Sequence, residues 1–228
     1  MKEREPTGID KLDELLDGGI PKGSTVLLIG PPGTGKTVFC QQFIAKGLEN
    51  NQGGLFIAMD NPPEEIVENA KDFGWDFKGK DNFIIMDVYS WKLGEEISGK
   101  YAVQGPSDLN QLNMTLSDAL RDLNGVQKRV IMDSASSLTF FTDINSTVRF
   151  LQVVSAKTKS NGGIFLLTVE DGVHDEHDLS TLNYVADGVI KMKREDGKSY
   201  FSVPRMTKTS NKEGWEEYEI TEKGIETV

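Results

Sequence analysis

Short apolar runs alternate with amphipathic stretches along most of this chain. The runs at 25–29, 55–60, 83–88, 129–134 and 164–170 are too short for helices and rich in aliphatic residues, which predicts buried strands. Between them the period changes. Phe39, Cys40, Phe43 and Ile44 share one face of an expected helix over 37–49, and Leu109, Leu112, Leu116, Ala119, Leu120 and Leu123 do so in a second, capped by Ser107 or Asp108. Val148, Leu151 and Val154 mark a third over 147–159, and Pro62-Pro63-Glu64-Glu65 opens another that Gly74-Trp75-Asp76 closes. Strand and helix in alternation predict an α/β fold with a mainly parallel sheet.

Both ends depart from that alternation. Asp10, Leu12, Leu15 and Leu16 have helical spacing, Gly18-Gly19 end the helix and Pro21 turns the chain. After Glu170, segments 189–193 and 200–203 flank Glu195-Asp196-Gly197-Lys198, a hairpin turn, and 215–225 supplies a further strand pair, so the chain should finish in antiparallel β structure. Residues 89–106 read as a glycine-spaced linker.

The first strand runs into Gly30-Pro31-Pro32-Gly33-Thr34-Gly35-Lys36-Thr37, which fits G-x-x-x-x-G-K-[ST] at every fixed position. Gly33 and Gly35 let the backbone turn its N–H groups inward, where a side chain would hold a phosphate off. Lys36 brings charge to the outer phosphates, Thr37 offers a hydroxyl to Mg²⁺, and the helix that continues through Val38 adds its positive end. The expected ligand is therefore ATP or ADP with Mg²⁺. Parallel sheets bind ligands at the carboxyl ends of their strands, and three other runs finish in an acid there: Asp60, Asp133 and Glu170. Asp133 is the candidate second Mg²⁺ residue, its alternative being a turn aspartate, and with Thr37, Asp60 and Glu170 it can converge on one phosphate.

Composition narrows the partners. With 36 acidic against 25 basic residues the net charge is -11, which disfavours duplex nucleic acid, where cation release supplies most of the affinity. The 228 residues suit one domain, and the polar start at Met1-Lys2-Glu3-Arg4 together with the shortness of every apolar run argues for a cytoplasmic protein without membrane insertion. The one cysteine, Cys40, reads as a buried thiol in the helix. His174 and His177, among Asp175, Glu176 and Asp178, read as solvated side chains rather than a metal site.

Thr7-Gly8-Ile9-Asp10, Gly18-Gly19-Ile20-Pro21, the phosphate loop, Pro63-Glu64-Glu65-Ile66, Phe73-Gly74-Trp75-Asp76, Val130-Ile131-Met132-Asp133-Ser134, Ala186-Asp187-Gly188-Val189-Ile190 and Glu219-Ile220-Thr221 stand in one order that resembles the KaiC-like branch of the RecA-like ATPases. The resemblance spans nearly the whole chain. It implies a RecA-like P-loop core, Mg-ATP, and a homo-oligomer with nucleotide between subunits. Two departures stand out. Asp60-Asn61 replaces the usual pair of glutamates, a shortening of about 1.5 Å where a misplacement of roughly 1 Å can cost about a hundredfold in rate. Arg205-Met206-Thr207 replaces lysine-methionine-arginine, whose cations reach a neighbour's γ-phosphate: Arg205 keeps charge at the first position, Thr207 has lost it at the second, and Lys208, the substitute one position on, would point to the opposite face of a strand. Both imply slow hydrolysis, with Asp60 in the place of the water-activating glutamate and γ-phosphate sensing falling to Glu170. Expected is an ATP-dependent switch acting on a protein partner, with a non-hydrolysing regulatory or scaffold subunit as the alternative. A DNA-associated ATPase is disfavoured by the charge. Ser180-Thr181 loosely resembles the autophosphorylated pair of KaiC, but its distance to Asp187 does not fit, and an ordinary loop capping a short helix is expected.

Overall fold

A computed structural model gives the arrangement of residues 3–94, 98–125, 127–210 and 214–228. Strand β1 (Arg4–Glu5), helix α1 (Asp10–Leu15) and strand β2 (Ile20–Pro21) come first, the two strands pairing antiparallel. The alternating part follows as β3 (Thr25–Gly30), α2 (Lys36–Glu49), β4 (Gly53–Ala58), α3 (Pro63–Asp72), β5 (Phe83–Asp87), α4 (Leu109–Asp122), β6 (Lys128–Asp133), α5 (Ala135–Thr139), α6 (Ile144–Lys159), β7 (Ile164–Glu170), α7 (Glu176–Asn183) and β8 (Gly188–Glu195). Strands β9 (Lys198–Met206), β10 (Glu216–Thr221) and β11 (Gly224–Thr227) close the chain.

Among the described residues nine strands form one sheet in the order β11-β10-β9-β8-β3-β7-β6-β4-β5. From β8 to β5 every pairing is parallel; from β8 outward through β9, β10 and β11 every pairing is antiparallel. The period of two along the central strands feeds two cores. Val26, Leu28, Phe56, Ile131 and Leu166 meet Phe39, Phe43 and Ile44 of α2 and Ile66 of α3 on one face. Leu27, Ile29, Leu55, Val130 and Leu167 meet Leu112 and Leu116 of α4 and Leu151 and Val154 of α6 on the other. With helices on both faces, all carboxyl ends of the parallel strands open on one side.

Several expectations shift. Strand β4 stops at Ala58, so Asp60 lies in a bend two residues past the ladder rather than at its end. Pro21 is in an edge strand, where its missing N–H costs nothing. Ser180 and Thr181 are inside α7, not in a loop. In the expected linker, Ser90–Leu93 form a 3-10 turn whose Lys92 Nζ donates to Met59 O at 3.0 Å, and the chain then returns beside β5: Asp87 N donates to Tyr101 O and Val103 N to Asp87 O, both at 3.0 Å. Residues 95–97 of that linker lie outside the described residues. Burial of Val103 explains the return, since it caps the core beyond the edge strand.

Candidate functional site

The loop between β3 and α2 takes the conformation its glycines permit. Gly33 and Gly35 have φ of 80° and 83°, the left-handed region that disfavours a side chain, and Gly35 is the residue from which α2 starts. Pro32 and Gly33 form its exposed tip, whereas Thr34 and Lys36 are buried. Thr34 Oγ1 closes the turn on Pro31 O at 2.8 Å. Val38 is half-buried and packs into the core beneath the loop.

Lys36, only 6% exposed, donates from Nζ to Gly30 O at 2.8 Å, Pro31 O at 3.0 Å and Glu170 Oε2 at 3.1 Å, with Glu170 Oε1 at 3.0 Å. The pairing follows from register, because Gly30 and Glu170 are partners across the β3–β7 ladder. Glu170 thus places an anion on the lysine that is expected to meet phosphate.

Asp133 ends β6 and is 6% exposed. Thr37 Oγ1 donates to its Oδ2 at 2.7 Å and Thr168 Oγ1 to its Oδ1 at 2.6 Å. Burial raises its pKa above the ordinary carboxylate value, the two threonine hydroxyls oppose that rise, Asp60 adds to it and Lys36 lowers it. Among the described residues no cation pairs with Asp133 directly. A buried carboxylate held only by hydroxyls, beside the Thr37 side chain at the start of α2, suits a hard cation with oxygen ligands, so the residues fit Mg²⁺. The Asp133–Ser134 peptide bond is cis.

Asp60 and the first turn of α5 meet above Asp133. Ser134 Oγ donates to Asp60 Oδ2 at 2.8 Å and Ser137 Oγ to Asp60 Oδ1. Between them, buried Ser136 accepts from Glu170 N at 2.9 Å, and its oxygen lies 2.7 Å from His174 Nε2. None of these serines was singled out from the sequence; the signal was the run Ser134-Ala135-Ser136-Ser137 directly after a strand-ending acid. Also unforeseen is the contribution of β10. The buried Tyr218 hydroxyl donates to Thr34 O, and the position a Cβ of Gly35 would take is 2.6 Å from Ile220 Cδ1, so the antiparallel extension underlies the loop.

The sheet therefore brings Lys36, Thr37, Asp60, Asp133 and Glu170 together. It leaves Arg205 and Lys208 out. Arg205 stands opposite Val189, which pairs with Leu27, so it is set back roughly 10 Å along the strand direction from Gly30. Its Nη2 donates to Asn183 O and Ala186 O, each at 3.1 Å, at the end of α7. Lys208 is in the exposed turn after β9, not in the strand, and Arg4 Nη2 donates to its carbonyl. Both positions lie toward the amino end of β3, away from the phosphate loop of their own chain. His177 lies in α7, and Asp175, His177 and Asp178 place one ligand atom each within 4.8 Å of one another; Asp175 already accepts from Asp178 N at 2.8 Å as the helix cap.

A family model described as "ATPase: KaiC" matches residues 5–228. A UPF0273 protein of Thermotoga maritima is 33% identical over 249 residues, covering 99% of this chain and 96% of its own. Another, from Pyrococcus horikoshii, is 34% identical over 235 residues, covering 99% and 94%. The crystal structure of a KaiC-like protein from the same archaeon superposes with a TM-score of 0.81 over the full length of both chains at 24% identity, a likeness of fold.

Proposed function

The chain belongs to the KaiC family of ATPases, and from that premise we propose that it binds Mg-ATP in its phosphate loop and hydrolyses it slowly, as a nucleotide-dependent switch in a homo-oligomer that acts on a protein partner. The observation that carries the reading is the junction of Lys36, Thr37 and Asp133 at one end of the sheet, with a cation and a buried carboxylate each held in place by the chain's own groups.

Thr37 and Asp133 would hold Mg²⁺, which supplies charge neutralisation on the phosphates. The backbone N–H groups of the Gly33–Gly35 turn and Lys36 Nζ bind the phosphate oxygens, and Lys36 gives up Glu170 as it does so. Asp60 accepts the proton of the attacking water while the water oxygen bonds to the γ-phosphorus and the bond to ADP breaks. Two features support a slow rate. The carboxylate is an aspartate standing beyond the strand, and Thr207 leaves the hairpin one cation short of the pair that would meet transition-state charge in a neighbour's site.

Phosphate release by the purified protein, compared with Lys36→Ala, tests the turnover: slow release that the variant lacks is expected, equal rates in both would refute it, and bound nucleotide without release would make the protein a non-hydrolysing scaffold subunit. Sedimentation with and without Mg-ATP tests the assembly, which a monomer under both conditions contradicts.

A further inference from the structure

Ser134 and Ser137 have no assigned part in nucleotide chemistry, yet each spends its hydroxyl proton on the same carboxylate. Asp60 is exposed, two residues beyond the end of β4, and among the described residues no ladder bond reaches it. On its own such a side chain would sample several rotamers. Ser134 Oγ instead donates to Oδ2 at 2.8 Å and Ser137 Oγ to Oδ1, so one donor on each oxygen fixes both the position and the plane of the group. A carboxylate accepts at about four lone-pair sites, which leaves two for water.

The two hydroxyls are placed by one device. Ser134 follows Asp133 directly and starts α5, accepting from Ser137 N at 3.3 Å, and its Oγ is 3.2 Å from that of Ser137. The turn that ends the cation-holding strand therefore also presents both donors to Asp60. Met59 N donates to Asp133 O at 2.9 Å, which ties the backbone beside Asp60 to the same residue. Movement of Asp60 relative to Asp133 would have to break three hydrogen bonds.

We propose that Ser134 and Ser137 are positioning residues for hydrolysis, holding the Asp60 carboxylate toward the attacking water and offsetting its shorter reach. The inference rests on the reading of Asp60 as the group that activates water. A shift of roughly 1 Å in such a group costs about a hundredfold, and each serine secures one oxygen, so loss of either hydroxyl is expected to lower kcat about tenfold. Ground-state binding falls to the loop, Lys36 and Thr37, so nucleotide affinity should not move.

The test is a cycle of variants read in kcat and in the Kd for Mg-ATP: wild type, Ser137→Ala, Ser137→Thr, Asp60→Asn, and Ser137→Ala combined with Asp60→Asn. Expected are a kcat about tenfold lower in Ser137→Ala at unchanged Kd, recovery in Ser137→Thr, and no further loss when Ser137→Ala is added to Asp60→Asn. The Kd reports whether each variant is folded, and the threonine variant keeps the question open to test if alanine disturbs α5. Equal losses from Ser137→Ala with and without Asp60, or a loss confined to Kd, would overturn the positioning role while leaving Asp60 as the base. Turnover unaffected by Asp60→Asn, or no turnover at all, would overturn the role of Asp60 and the inference with it.

Discussion

Strand β6 carries a buried charge at each end, and the two are met in opposite ways. At the amino end Arg129, 1% exposed, donates from Nε to Gln52 Oε1 at 2.7 Å and from Nη1 to Phe43 O at 2.7 Å and Pro6 O at 2.9 Å. Its guanidinium carbon lies 4.2 Å from the centre of the Phe43 ring, and its Nη2 lies 3.7 Å from Glu5 Oε2. Gly47 makes room, since a Cβ there would fall 2.5 Å from Arg129 Cδ. At the carboxyl end Asp133 has two hydroxyl donors and, among the described residues, no ion pair. A charge supplied by the chain with both its hydrogen bonds and its counter-charge acts as a fastener. A charge supplied with hydrogen bonds alone fits the proposed role of receiving a counter-charge from outside.

The largest effect expected from this contrast is on stability. Arg129→Ala removes the cation from a buried, carboxylate-linked network and should cost about 3–5 kcal/mol in denaturant unfolding. A loss under 1 kcal/mol would show that Glu5 and Gln52 repair the gap with water and would end the fastener reading. Burial drives the Arg129 pKa down to about 10, so its charged form is penalised in the fold and only carried by its partners.

Asp133→Asn should behave in the opposite way. The desolvation that raises the Asp133 pKa opposes its ionised form in the nucleotide-free protein, so the amide should change stability by less than about 1 kcal/mol while removing the dependence of ATP affinity on Mg²⁺. Retained Mg²⁺ dependence would remove Asp133 from the cation site. Glu170→Gln is a finer probe. Freed from its ion pair, which is partly buried and worth about 1 kcal/mol, Lys36 should bind ATP about fivefold more tightly. Weaker binding would instead give Glu170 a part in holding nucleotide.

The loop, Lys36, Thr37, Asp133 and Glu170 were legible in the sequence because their evidence is local: a spaced motif, and strands ending in an acid. The direction of strand pairing was equally accessible in outline, since alternating periods imply parallel strands and Glu195-Asp196-Gly197-Lys198 marks the change to antiparallel pairing, but the order of the strands was not. Contacts between distant segments were not. Tyr218 and Thr34 are 184 positions apart, and Ser137 and Asp60 are 77 apart, so no periodicity along either segment could pair them. The same limit applies to Arg205, whose place beside the end of α7 depends on how β9 lies along β8.

Calorimetric titration of Mg-ATP into the wild-type protein and Lys36→Ala tests the central claim most directly. Saturable one-site binding by the wild type, weakened by about tenfold or more in the variant, is the expected result. Equal affinity in the two proteins, or no binding by either, would contradict it.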